Sequence, residues 1–358
     1  MSPLIKLRKT TLLILVLATA LSACRPLGET ATASVIPDTI LGDEPWYAVY
    51  FTDPDSPEAK AYRGGPDEAL AEAIGAARAS VELAIYDLDS WHLRDALLDA
   101  HRRGVAVRMV IEDDNFDRPE IQALLEAGIP IVLDRRNASM HDKFAVIDRY
   151  EVWTGSMNFT ISDAYRSDNN LIRLRSTHLA ENYLAEFEEM FSAGQFGANS
   201  PAGSPYPEFT INDALIETYF SPEDDTAARI IALIEAAQES IRFLAFSFTS
   251  DDIAAAMLSA TERGVQVAGV FEASQYSSNV GTEFDNLLAA GLDVRLDGNP
   301  NQMHHKVIII DRQIVITGSY NFSKSAETSN DENTLILHSE EIAGLYLDEF
   351  ERIFAQAQ

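Results

Sequence analysis

"MHDKFAVIDRYEVWTGSMNF", from Met140 to Phe159, is written a second time as "MHHKVIIIDRQIVITGSYNF", from Met303 to Phe322. Both copies read His-x-Lys, four residues, Asp, six residues, Gly-Ser-x-Asn. Every position in the second copy lies 163 residues after its counterpart (304 − 141). Two copies with identical internal spacing describe two halves of one device, and internal repetition has to be mapped before any motif is interpreted.

The repetition extends well beyond the motif. "SVELAIYDLDSWHLRDALLDAHRRGVAVRMVIE" (Ser80 to Glu112) aligns without gaps on "SIRFLAFSFTSDDIAAAMLSATERGVQVAGVFE" (Ser240 to Glu272). "LLEAGIPIVLD" from Leu124 matches "LLAAGLDVRLD" from Leu287, and "YLAEFEEMF" from Tyr183 matches "YLDEFERIF" from Tyr346. "VYFTDP" from Val49 matches "TYFSPE" from Thr218. The expected domains are therefore residues 45–193 and 209–358. Between them, residues 194–208 form a linker rich in Gly, Pro and Ser.

Within each half, strand and helix signals alternate. "SVELAIYDL" and "GVAVRMVIE" are short, β-branched apolar runs of the kind buried on both faces of a sheet. Between them a helix starts after the N-cap candidate Ser90 and stops at Gly104. "KFAVID" and "EVWTG" read as a hairpin, repeated by "KVIIID" and "IVITG". A long amphipathic helix closes each half. The expected fold is α/β: two homologous mixed-sheet sandwiches related by a pseudo-twofold axis.

The N-terminus reads separately. Lys6, Arg8 and Lys9 precede the apolar run "TLLILVLATAL", too short to span a bilayer as a stable helix, and "LSAC" ends at Cys24. This resembles a bacterial lipoprotein signal. Residues 1–23 are then a signal peptide, Cys24 is lipidated, and residues 24–44 are a flexible tether. The expected location is the cell envelope, anchored by lipid to the extracytoplasmic side of a membrane. Cys24 is the only cysteine of the 358 residues, so no internal disulfide is possible. A net charge of −29 weighs against a nonspecific nucleic-acid binder, whose affinity comes from neutralising phosphates with Lys and Arg.

Strand alternation places His141 and Lys143 on one face, as it does His304 and Lys306, while Asp142 and His305 face the other way. The turns after the hairpins carry Ser156, Asn158, Ser319 and Asn321, where hydroxyl, amide and backbone N–H groups can converge on an anion. Joined about a twofold axis, two histidines, two lysines and two asparagines suit a phosphodiester. The lysines neutralise its oxygens, the asparagines donate hydrogen bonds, one histidine attacks phosphorus and the other protonates the leaving oxygen. Imidazole titrates near neutrality, so one site can hold both forms. No cofactor or catalytic metal is called for, because no metal-ligand spacing accompanies the motifs.

The doubled motif resembles the phospholipase D superfamily, over the chain from about Tyr50 onward. The short halves look most like its compact nuclease-like and cardiolipin-hydrolase-like members. The resemblance implies a phosphohistidine intermediate, and it implies that Asp148 and Asp311 brace the site without taking part in chemistry. It also implies an acidic residue on each histidine's second nitrogen. The second half offers Glu332 there; the first half offers Asn169. A carboxylate stabilises imidazolium more than an amide does, so Glu332 favours a cation at His304, leaving His141 neutral as nucleophile with His304 as general acid. Asn169 would also fit a weakened first half.

The expected function is cleavage of phospholipid headgroups by a protein that works as a monomer. The alternative is a metal-independent endonuclease acting on DNA or RNA, with Arg102, Arg103, Arg135 and Arg136 as a local basic rim. A noncatalytic binding protein is disfavoured by the intact motifs. His92, His101, His178 and His338 read as structural or surface residues, and Glu112-Asp113-Asp114 as a solvated loop at a strand end.

Overall fold

The computed structural model describes residues 36–38 and 45–358. The expected signal peptide, Cys24 and most of the expected tether lie outside the described residues. The first half contributes β2 (Tyr47–Phe51), β3 (Ser80–Ile85), β4 (Ala106–Glu112), β5 (Ile131–Asp134), β6 (Lys143–Ile147), β7 (Glu151–Gly155) and β8 (Asn170–Arg175), preceded by the short β1 (Ile36–Pro37). The second contributes β9 (Glu208–Ile211), β10 (Ala214–Ser221), β11 (Ser240–Ala245), β12 (Gln266–Phe271), β13 (Asp293–Leu296), β14 (Lys306–Ile310), β15 (Ile314–Gly318) and β16 (Glu332–His338).

The first sheet runs β2-β8-β7-β6-β3-β4-β5, and the second repeats that order as β10-β16-β15-β14-β11-β12-β13. In each, the strands joined by crossover helices are parallel and the hairpin strands are antiparallel. The crossovers Trp91–Arg102 and Asp251–Glu262 are N-capped by Ser90 and Ser250. At the edge of the second sheet, β1 pairs in parallel with β9. Residues 36–38, expected within the tether, are thus seated on this sheet. The Asp38 carboxylate accepts from Ser176 and Thr177 at the start of the first closing helix.

The outer faces of the two sheets are covered by their own crossover helices, forming two separate apolar clusters. The inner faces share one core. Into it the closing helices Thr177–Phe191 and Glu340–Gln356 send Tyr183, Phe187, Tyr346 and Phe350, against Phe144 and Ile172 of one sheet and Val307 and Leu335 of the other. Burying these four aromatic rings, two from each helix, is the kind of apolar burial that stabilises a domain by ~2 kcal/mol or more per side chain. The halves are therefore held as a unit, and the position of one motif relative to the other is fixed by this shared core.

Two local details set the motif strands. At the hairpin tips Asp148, Arg149, Asp311 and Arg312 are all left-handed (φ 52, 56, 51 and 59°). Such a conformation costs a non-glycine residue roughly 1–2 kcal/mol, offset here because the Asp148 carboxylate accepts the backbone N–H groups of Arg78, Ala79 and Ser80. Asp311 does the same for Gln238, Glu239 and Ser240. At the other end, Gly155 and Gly318 have φ of 153 and 142°, and a Cβ there would lie 2.4 Å from the Asn170 carbonyl and 2.2 Å from that of Asn333. Only glycine allows the chain to pass so close, which explains the Gly of both Gly-Ser-x-Asn turns.

Candidate active site

The motif strands do not stay within their own halves. Just before β6, the His141 N–H donates to the Asp331 carbonyl (2.9 Å), and the Asp331 N–H donates back to Ser139. Just before β14, the His304 N–H donates to the Asp168 carbonyl (2.8 Å), with Asp168 returning a bond to Gln302. Each half thus lends a short parallel bridge to the other, Met140 to Asp331 and Met303 to Asp168. The residue following each bridge is delivered to the opposite histidine.

The consequence corrects the expected ring partners. Glu332 belongs to His141: Nδ1 of the ring lies 2.7 Å from Glu332 Oε2. His304 instead meets the first half's Asn169, Nδ1 to Oδ1 3.0 Å. Asn169 is held in that orientation because its Oδ1 also accepts from Ser156 Oγ (2.9 Å) and its Nδ2 donates to the Asp163 carbonyl (3.2 Å). His304 therefore donates from Nδ1 and turns Nε2 toward the pocket. A carboxylate does approach it, from a residue the sequence reading did not single out: Asp163 Oδ2 is 3.5 Å from His304 Nδ1. The counterpart of Asp163 in the second half, 163 residues on, is Ala326. The inference that Glu332 makes His304 the better cation holder falls, because neither ring takes its partner from its own half.

The lysines are buried beside the rings. Lys143 Nζ donates to the His141 carbonyl (2.7 Å) and Lys306 Nζ to that of His304 (2.8 Å). Tyr86 packs edge-on to His141 with Lys143 over its face, and Phe246 does the same for His304 and Lys306. These aromatics occupy matching places in the repeat, a signal present in the sequence but not read. Burial pushes His141 down to about 4 despite the Glu332 carboxylate, and with the two lysines it drives His304 well below its usual range. Lys143 is pushed down to about 8 by burial, and Lys306 well below its ordinary value by burial and by Lys143. Burial is the main cause, outweighing the nearby Glu332 and Asp163 carboxylates, and an anion entering the pocket would favour the cations. The Asn158 and Asn321 side-chain oxygens are buried without a partner in both halves; as acceptors they could meet a donor such as the attacking water, while only the amide N–H groups could reach phosphate oxygens.

The family described as "Cardiolipin synthase, PLD-like domain" matches residues 70–191 and again residues 230–354. The chain belongs to the phospholipase D superfamily. It is 37% identical over 136 residues to the mitochondrial cardiolipin hydrolase of Homo sapiens, a match covering 38% of this chain and 54% of the relative. It is 31% identical over 161 residues to a phospholipase D of Rickettsia prowazekii, covering 45% of this chain and 78% of that protein. The chain spans only about half the length of the cardiolipin hydrolases it matches. Across both halves, the structure of a phosphatidylserine synthase from Haemophilus influenzae superposes with a TM-score of 0.66 at 13% identity, covering 90% of this chain and 89% of that one. The fold is thus a two-domain phospholipase D fold, as expected from the repeat.

The remaining expected residues separate by position. Asp148 and Asp311 sit at the far ends of β6 and β14, roughly 17 Å along the strand from the lysines, so they brace the strand tip and not the pocket. Ser319 Oγ accepts the Asn333 N–H (2.9 Å), matching Ser156 and Asn170. Glu112 is not a solvated loop residue: it is buried and accepts the Met140 N–H (2.8 Å), one residue before His141. Burial raises its carboxyl to about 7. His92 and His338 pair with Asp67 and Glu217, and His178 stacks on Tyr206. The four arginines form no common rim. Arg102 and Arg136 pair with Asp99 and Asp134, Arg135 approaches Asp113, and Arg103 donates to the carbonyl of Ile74.

Proposed function

We propose that the protein is a phospholipase D-like phosphodiesterase that cleaves phospholipid headgroups through a phosphohistidine on His141. The observation that carries this is the crossed pairing of two complete His-Lys-Asn sets. In the first step His141 Nε2 attacks phosphorus, the bond to the leaving oxygen breaks, and His304 gives that oxygen its proton. The attacking ring becomes cationic as the P–N bond forms, and the Glu332 carboxylate on its Nδ1 stabilises that charge. In the second step His304 takes a proton from water, which displaces the histidine and releases phosphatidate. Burial keeps His141 neutral and ready to attack. The cation at His304 is favoured by the substrate's negative charge and by Asp163.

The lipid reading is supported by relatives named cardiolipin hydrolase and phospholipase D, and by arginines already engaged with acids and carbonyls instead of gathered for nucleic acid. We also propose that the chain works from the extracytoplasmic face of a membrane, held through Cys24. Among the described residues no helix is long and apolar enough to cross a membrane. The test is a side-by-side assay of headgroup release from cardiolipin and phosphatidylcholine vesicles, and of nicking of plasmid and single strands. Vesicle turnover is expected. Nicking without headgroup release would transfer the same chemistry to nucleic acid.

A further inference from the structure

The two halves treat one internal position in opposite ways. Beside the pocket of the second half, His305 turns inward and lies 3.0 Å from Glu349, which Arg352 also binds at 2.7 Å. The residues 163 positions earlier are Asp142, Glu186 and Glu189. Both basic residues have become acids on an equivalent backbone. Glu223, in the segment after β10, adds a further carboxylate.

The side-chain oxygens of Glu186, Glu189 and Glu223 lie within 4.8 Å of one another. Among the described residues none of the three, nor Asp142, has an ion pair with a Lys or Arg. Asp142 is the independent sign. It is fully buried, neither of its carboxylate oxygens has a hydrogen-bond partner, and it interacts electrostatically with both Glu186 and Glu223. One oxygen each of Glu189 and Glu223 is buried and unpartnered as well. Between the three glutamates is a cavity of about 10 Å³, room for a single ion or water. Burial, with repulsion from neighbouring carboxylates that include Asp224 and Asp331, pushes the carboxyls of Asp142 and Glu186 well up, Glu189 to about 7 and Glu223 to about 8, although Glu223 also shares a hydrogen bond with Glu186.

We propose that Glu186, Glu189 and Glu223, backed by Asp142, bind one structural Ca²⁺ between the first closing helix and the segment after β10. Only hard carboxylate oxygens are offered, and three of them within 4.8 Å of one another are close enough to share one Ca²⁺ with ligands at about 2.4 Å. The cation does the work that His305 and Arg352 do in the second half, and it ties the two halves together. It lies outside the His-Lys-Asn pocket and takes no part in the chemistry.

The full chain, stripped with EDTA and then dialysed free of it, is titrated with CaCl₂ by calorimetry and followed by thermal denaturation. One site per chain is expected, with Tm rising by roughly 4 °C at a hundredfold excess over Kd. His304→Ala should bind Ca²⁺ as the parent does. Glu223→Gln, at a partly exposed position that tolerates the change, should lose binding at least tenfold. The pair Asp142→His with Glu189→Arg rebuilds the second half's arrangement, and its Tm in EDTA should match the parent's in Ca²⁺ with no further response. Absence of binding heat and of any Tm change at millimolar CaCl₂ would overturn the proposal, as would binding that disappears in His304→Ala but persists in Glu223→Gln.

Discussion

The two histidines sit on equivalent strands, yet their surroundings differ in charge. His141 has a carboxylate on its second nitrogen, contributed by the other half. His304 has an amide there, with a carboxylate half an ångström farther away on a different element. A repeat preserves backbone, and point differences on that backbone give the two rings different electrostatic surroundings. In the proposed mechanism, Asn169 against Glu332 and Asp163 against Ala326 are the changes that suit one ring to carrying phosphorus and the other to carrying a proton.

The largest expected effect breaks the symmetry outright. His141→Ala should lower turnover on the order of 10⁴-fold or more, for every leaving group, because the nucleophile is gone. His304→Ala should cost far less with an activated aryl phosphodiester, whose leaving oxygen hardly needs a proton, than with an alkyl one. Trapping with labelled substrate should place phosphorus on His141. Label on His304 in the unaltered protein would reverse the division of labour and leave the reaction class intact.

The next effect probes the crossed partners. Glu332→Gln should lower kcat about 100-fold, and Asn169→Ala about 10-fold, as expected for groups that act through a histidine's other nitrogen. Equal losses in both would mean that the charge difference is idle. Smaller still is the pH response with an aryl substrate, which isolates nucleophile and lysines. His141 is depressed to about 4, so its neutral form is present above that pH and is lost as pH falls through it. Lys143 is depressed to about 8, so its cation is present below that pH and is lost as pH rises through it. The kcat/KM profile should therefore be flat from about 5 to 7, falling up to tenfold per pH unit beyond each limit. A plateau persisting to pH 10 would remove Lys143 from phosphate binding.

What the sequence made legible was everything carried by local periodicity: the repeat, the hairpins, the shared face of His141 and Lys143, and the inward turn of Asp142 and His305. What escaped it depended on the docking of two halves. A pairing rule applied within each half cannot see that Asp331 and Asp168 bridge to the opposite strands, and it therefore attached Glu332 to the wrong ring. Asp163 was hidden for a related reason: it lies on the short helix Ile161–Tyr165, and its counterpart is an alanine, so comparing the copies gives no hint of function. Glu112 read as a loop acid because nothing local shows that Met140 will need an acceptor. The acidic cluster of Asp142 and Glu186 combines a strand, a helix and a segment of the other half.

The smallest expected effect on catalysis concerns the part of the motif that the two halves share most closely. Asp148 and Asp311 each accept three consecutive backbone N–H groups, at 2.7 to 3.1 Å, and hold a left-handed hairpin tip against the start of β3 or β11. The donors are near solvent, so water can replace part of what is lost, and Asp→Ala at either position should cost about 1 kcal/mol, less than is usual for charged acceptors. Tm should fall by one or two degrees, alike in both halves. Turnover at 25 °C should stay within twofold, since the strand separates these residues from the rings by most of its length. A tenfold loss of kcat with unchanged Tm would show that the motif aspartates reach the chemistry after all. A fall in Tm confined to one half would show that the two hairpins, despite matching geometry, bear unequal load.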